Sequence, residues 1–171
     1  MPRQALETVA VLCCSRRSVY HDMLGTDCYD EARDARTFQG GMKVIAHPPC
    51  RHWSKYCRQQ ATQQGRDEEM ALGLWFGEMV RQCGVILVQP AGCHLWEGAR
   101  LPRAVGVWQR WWNYPTRKAT WLYCNIEHVP PIPFALHNAR MDRRRVQIMS
   151  KQQRSATPQR FAEWLLAAVR G

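Results

Sequence analysis

What this sequence lacks narrows it first. No stretch approaches the roughly 20 uninterrupted apolar residues of a membrane-spanning helix. The opening, Met1-Pro-Arg-Gln4, has no charged-then-apolar order of an export signal. Both absences predict a protein of the cytoplasm, with no membrane partner. Eight cysteines occur without a CxxC pair, and no HxxxH spacing accompanies them. Zinc could draw on His47, Cys50, His52, Cys57, Cys93 and His94, but without ligand spacing no metal is expected. The adjacent Cys13-Cys14 pair and the missing signal favour reduced thiols over disulfides. No repeat and no low-complexity linker interrupts the 171 residues, and 46% apolar content argues against disorder, so a single domain over 1–171 is predicted.

Acidic residues are scarce in one region. Residues 1–99 carry 11 basic and 11 acidic side chains, whereas residues 100–171 carry 13 basic and 3 acidic, so the net charge of +10 belongs to the last two-fifths. One neutral part joined to one strongly basic part predicts a polyanionic partner, DNA or a nucleotide, against the plainer alternative of a solvated basic surface. Arg140 to Arg145, with four arginines in six residues, is the densest cluster and makes Arg143, Arg144 and Arg145 candidate phosphate contacts.

Short apolar runs alternate with helical patterns, as in an α/β fold. Residues 8–14, 44–46, 85–88 and 119–124 read as strands, with a further short one over 26–29. A short helix is expected over 16–24. The clearest helix opens at Asp67-Glu68-Glu69 and stops at Gly84, with Leu72, Trp75, Phe76, Met79, Val80 and Cys83 on one face, which is core packing. The polar stretch from Tyr56 to Arg66 suits a mobile segment. Thr157-Pro158 introduces a last helix whose Phe161, Trp164, Leu165 and Ala168 form an apolar stripe. The fold class predicted is α/β: a reduced Rossmann-like, mostly parallel sheet with flanking helices.

The strand Val44 to Ala46 runs straight into His47-Pro-Pro-Cys-Arg-His-Trp-Ser54. Two prolines fix two φ angles and remove two backbone donors, so Cys50 sits where little conformational freedom is left. Arg51, His52, Lys55 and Arg58 follow and favour a thiolate, the reactive form. The alternative is a strand end with Cys50 as a small buried hydrophobe. The next buried strand also exits into an X-Pro loop, Gln89-Pro90-Ala-Gly92. In an open α/β sheet the ligand crevice lies at the carboxyl ends of the strands, so Cys50 and Gln89 can face one pocket. The order strand, turn, helix, strand, acid leads to Asp30 and Glu31, the place where nucleotide-binding sheets hold a ribose, but Cys14-Ser-Arg-Arg-Ser18 has no glycine.

In this order the segments resemble cytosine-C5 DNA methyltransferases. Pro48-Pro-Cys-Arg-His-Trp-Ser54 is similar to the family's catalytic Pro-Cys loop, Val88-Gln-Pro90 to its Glu-Asn-Val segment, and Arg117-Lys-Ala-Thr-Trp-Leu-Tyr123 to its Arg-x-Arg strand. The chain also resembles small phage and prophage proteins with a His-Pro-Pro-Cys loop and a Pro-Ala-Gly/Ser-x-x-Trp segment, here Pro90 to Trp96. The resemblance implies transfer of a methyl group from S-adenosylmethionine to cytosine: Cys50 adds to C6 of a flipped base, Gln89 occupies the glutamate position, and Arg117 is the first arginine. The candidate cofactor residues are Asp30, Glu31 and Pro48, and the candidate nucleic-acid contacts are Arg51, His52, Lys118 and the Arg143–Arg145 cluster. If the chain is phage-encoded, its place is the host cytoplasm.

The sequence also departs from that pattern. Gln89 hydrogen-bonds but does not act as an acid, a role typically worth about 10²–10⁴-fold. Ala119 replaces the second arginine, and only twelve residues separate Glu31 from Val44, too few for a further strand and helix. No room remains for a target-recognition domain. These departures define the alternative: a degenerate methyltransferase fold that binds DNA, a nucleotide or a host protein, including a counter-defence role, and performs no chemistry.

Overall fold

The computed structural model of the chain describes residues 6–54, 62–133 and 146–171. Strands four to six residues long, most of them apolar runs, build a six-stranded sheet: β1 Val9–Leu12, β2 Thr26–Tyr29, β3 Lys43–Ala46, β4 Val85–Pro90, β5 Val105–Trp108 and β6 Ala119–Cys124. Their order across the sheet is β2-β1-β3-β4-β6-β5. The first four are parallel, with Val9 opposite both Thr26 and Lys43, and Ala46 opposite Leu87. β6 is antiparallel to β4 and to β5. The chain is therefore mixed α/β with a mostly parallel sheet. β1 leads to β2 on one side and is bordered by β3 on the other, so the winding reverses between β1 and β3. At such a point two loops diverge and leave a crevice beyond the strand ends.

Both faces of the sheet are covered at β1, β3 and β4, which is why those strands read as continuous apolar runs rather than alternating ones. Ala10, Leu12, Val44, Ala46, Val85 and Leu87 face the layer containing Phe76, Met79 and Val80 of α1, Gln63–Cys83. Val9, Val11, Ile45, Ile86, Val88 and Leu122 face α4, Gln159–Arg170, through Phe161, Leu165, Leu166 and Val169. Each fully buried aliphatic or aromatic side chain contributes about 1.5–3 kcal/mol relative to exposure. The Arg170 guanidinium fixes the end of α4 by donating to the carbonyls of Glu7, Leu24 and Gly25, beside the turn that enters β2. Two short helices, α2 Leu95–Gly98 and α3 Lys151–Ser155, complete the α-helices among the described residues. No helix among the described residues is long and apolar enough to cross a membrane.

Some boundaries differ from those expected. α1 begins at Gln63, not at the acidic triplet, because the Thr62 hydroxyl accepts the Gly65 N–H and caps it. The last part of the expected mobile stretch is thus its first turn, while residues 55–61 lie outside the described ones. The helix expected over 16–24 is a single 3-10 turn, Val19–Asp22. β5 was not anticipated, since Gly106 interrupts its apolar run.

Candidate functional site

The loop after β3 is held from three sides. The His47 N–H donates to Leu12 O of β1 at 2.9 Å, and the Ser54 N–H donates to Cys50 O at 2.8 Å, which rolls residues 50–54 into one helical turn. From β4, Gln89 Nε2 donates to Pro48 O at 2.5 Å, and its Oε1 accepts from Cys93 Sγ at 3.4 Å. Gln89 is only 2% exposed. Leaving a buried amide such as this unpaired costs about 1–3 kcal/mol, so the clamp is strong. Below the loop, Glu69 of α1 accepts the His52 backbone N–H at 2.8 Å, and its other oxygen lies 2.8 Å from His52 Nδ1.

Trp53 anchors the loop in a way that the sequence pattern hides. It is buried in a slot between α1 and α2, made by glycines: a Cβ on Gly73 would stand 2.2 Å from Trp53 Nε1, and one on Gly98 would stand 2.8 Å from Cζ3. The His94 N–H donates to Trp53 O. Because Trp53 lies one helical turn from Cys50, its slot sets the orientation of the thiol-bearing turn.

Cys50 itself is half-buried. The reversed strand β6 brings its first residues back across β4, with Pro90 opposite Thr120, and so delivers Lys118 to the end of the sheet where Cys50 lies. Burial pulls the Lys118 ammonium down to about 8, and a Cys50 thiolate opposes that fall. By the same interaction the ammonium favours the thiolate. Lys118 Nζ donates to Ala156 O at 2.9 Å. Burial, and secondarily Lys118, pull His47 down to about 3, so His47 is neutral at ordinary pH, with Nε2 3.1 Å from the Tyr20 hydroxyl. Cys50, Lys118, His47 and the Gln89 clamp therefore share one end of the central strands.

The other expected residues fall in different places. Arg51 and Arg117 are exposed, and Arg117 sits over the Trp108 ring at 5.9 Å. Lys118, one residue beyond the expected Arg117, is coupled to Cys50. The His52 side chain, expected to meet nucleic acid, is buried against Glu69, so it positions the loop. Arg143, Arg144 and Arg145 lie outside the described residues.

The corner expected to hold S-adenosylmethionine is engaged internally. Asp30 Oδ1 accepts the Ala32 N–H at 2.8 Å, and Glu31 accepts the Arg16 N–H at 3.1 Å, closing the β1 exit onto the β2 exit. Pro48 is buried with its carbonyl taken by Gln89. Directly after β1, Cys13 holds φ 57, where a glycine is free and other residues lose roughly 1–2 kcal/mol. Asp30 and Glu31 each spend one oxygen on these backbone contacts, and no step below passes through the methyl donor.

The same corner contains a cluster that sequence spacing gave no sign of: Cys14 at the β1 exit, His21 on the 3-10 turn and Cys28 in β2 have their ligand atoms within 4.8 Å of one another. Parallel pairing of β1 and β2, with Val11 opposite Cys28, brings them together. In comparisons with known proteins, no family model, no curated protein and no solved structure matches the chain.

Proposed function

We propose that the protein engages a pyrimidine base of a nucleic acid or nucleotide at the carboxyl end of β3, with Cys50 as a nucleophile toward C6. One observation carries the reading: the half-buried Cys50 is presented by a clamped Pro-Pro turn, with the Lys118 ammonium favouring its thiolate. The exposed Arg51 and Arg117 suit a phosphate-bearing ligand. The finer fold identity, a Rossmann-like methyltransferase sheet, is part of the same proposal, supported by the reversal of winding between β1 and β3 beside this loop.

The chemistry proposed stops at addition. The thiolate forms a bond to C6, and the C5=C6 electron pair moves to C5, which takes a proton from solvent. Loss of the original C5 hydrogen as a proton, followed by expulsion of the thiolate, restores the ring with one hydrogen exchanged. Methyl transfer is the fuller reaction implied by the resemblance, and the engaged Asp30 and Glu31 corner is why it is not carried further.

A second reading, a binding protein that performs no chemistry, is favoured by Gln89: both ends of its amide are engaged within the protein, leaving it turned away from a base. Exchange at cytosine C5 separates the two. Wild-type protein in deuterated buffer with cytosine-containing DNA, RNA and cytidine nucleotides is expected to place deuterium at C5 of one of them, and Cys50→Ser to abolish it. Binding without exchange supports the second reading, and exchange that survives Cys50→Ser overturns the first.

A further inference from the structure

We propose that Cys14, His21 and Cys28 form a zinc site that staples the β1 exit to β2. Three observations support it together, and none depends on the role of Cys50. First, the two sulfurs and the imidazole nitrogen lie within 4.8 Å of one another, with Cys14 Sγ 3.9 Å from His21 Nε2. Tetrahedral zinc with Zn–S near 2.3 Å and Zn–N near 2.0 Å sets its sulfur and nitrogen ligands roughly 3.5–3.8 Å apart, so only a small contraction is needed. Second, the three residues come from a strand exit, a 3-10 turn and a paired strand; the parallel register fixes Cys28, and the Cys14 N–H donating to Tyr29 O at 3.1 Å holds Cys14 beside it. Third, a fourth oxygen donor is at hand, since Asp30 Oδ2 lies 3.7 Å from the same His21 Nε2. Asp30 or a water completes the shell.

The donor set selects the ion. Two thiolates and an imidazole suit a borderline-soft divalent cation, zinc above all, and exclude magnesium or calcium, which take oxygen. Cys14 Sγ lies 3.6 Å from Tyr29 O and His21 Nε2 lies 3.2 Å from Ser15 O. Binding exchanges the second of these contacts for the ion, leaving Nδ1 to carry the imidazole proton. The consequence is structural. A sheet that has a single short strand beyond β1 gains a covalent-strength tie at that edge, in the corner where Asp30 was expected to meet a ribose. Where Asp30 is the fourth ligand, zinc withdraws it from a nucleoside.

The test uses the full chain purified under reducing conditions. Expected are one zinc per chain by elemental analysis, and, after exchange into Co²⁺, thiolate-to-cobalt charge-transfer absorption with the intensity of a tetrahedral site. Chelation is expected to lower the melting temperature, and added Zn²⁺ to restore it. Cys28→Ser and His21→Ala should each weaken Zn²⁺ binding by at least the roughly 100-fold upper bound for losing an outer partner of a ligand. His21 is exposed, so its alanine variant tests the site without threatening the core. Cys124→Ser and Cys50→Ser are expected to bind as the wild type does. Absence of a stoichiometric metal and of the cobalt–thiolate band overturns the proposal. So does a Cys14–Cys28 disulfide found by mass mapping of the reduced-buffer protein, or binding that follows Cys50 rather than Cys28.

Discussion

Alanine at Gly73 should destabilise this protein, although in most helices Gly→Ala does the opposite. In the interior of α1 the helix itself would gain about 1 kcal/mol from alanine. The new methyl, however, would stand 2.2 Å from Nε1 and 2.8 Å from Cε2 of the buried Trp53. An ordinary contact needs at least 3.4 Å, so the indole must retreat by more than about 1 Å. Across the slot it meets Gly98 of α2, which leaves little room for that movement. Overpacking of this kind costs about 1–3 kcal/mol, which outweighs the helix term. The decisive form is a double-mutant cycle with Trp53→Phe, whose smaller ring vacates the overlap. Urea unfolding followed by circular dichroism should show Gly73→Ala destabilising the wild type and stabilising the Trp53→Phe protein, a coupling of about 1–3 kcal/mol. Equal stabilisation in both backgrounds would refute the slot, and with it the claim that Trp53 orients the Cys50 turn.

Other expected outcomes follow from the same loop. His47 titrates near 3 when folded and near 6.5 when unfolded, so its contribution to stability is fully present above about 6.5 and declines as pH falls toward 3, by at most about 1.4 kcal/mol per unit. His47→Gln should flatten urea midpoints measured between pH 7 and pH 4. Gln89→Glu sets a carboxylate against Pro48 O and should cost about 1–3 kcal/mol at neutral pH. The difference from wild type should shrink in acid, where a protonated glutamate donates as the amide does. Lys118→Met should slow alkylation of Cys50 by iodoacetamide roughly threefold to tenfold, the kinetic equivalent of a charge interaction near 1 kcal/mol, read by peptide mass mapping. For the basic portion 100–171, DNA affinity should fall steeply between low and physiological salt, and a flat response in a filter-binding titration would remove nucleic acid as its partner.

The strands were legible because each central one is a short apolar run between turn residues, a signature that needs no partner to be seen. Val85 to Val88 and Ala119 to Cys124 are examples. The Pro-Pro-Cys loop announced itself by composition. What stayed hidden depends on through-space pairing. The Cys14, His21 and Cys28 cluster exists only because β1 and β2 pair in parallel. The Trp53 slot exists only because two glycines from separate helices meet one indole. The coupling of Lys118 to Cys50 depends on the antiparallel return of β6 across β4, which a linear reading of that segment does not show. His52 is a related case: its basic neighbours suggest a surface role, while its side chain is buried and Glu69, seventeen residues on, accepts its backbone N–H.

The most direct test of the account is covalent. A cytosine-containing oligonucleotide in which ring position C5 is replaced by nitrogen accepts a thiolate at C6 and releases it slowly, with no methyl donor required. Incubation with the protein, followed by intact mass and peptide mapping, should give a one-to-one adduct located at Cys50 and absent from Cys50→Ser. An adduct mapped to another cysteine, or none at concentrations where the oligonucleotide is bound, would contradict the assignment of Cys50 as the nucleophile.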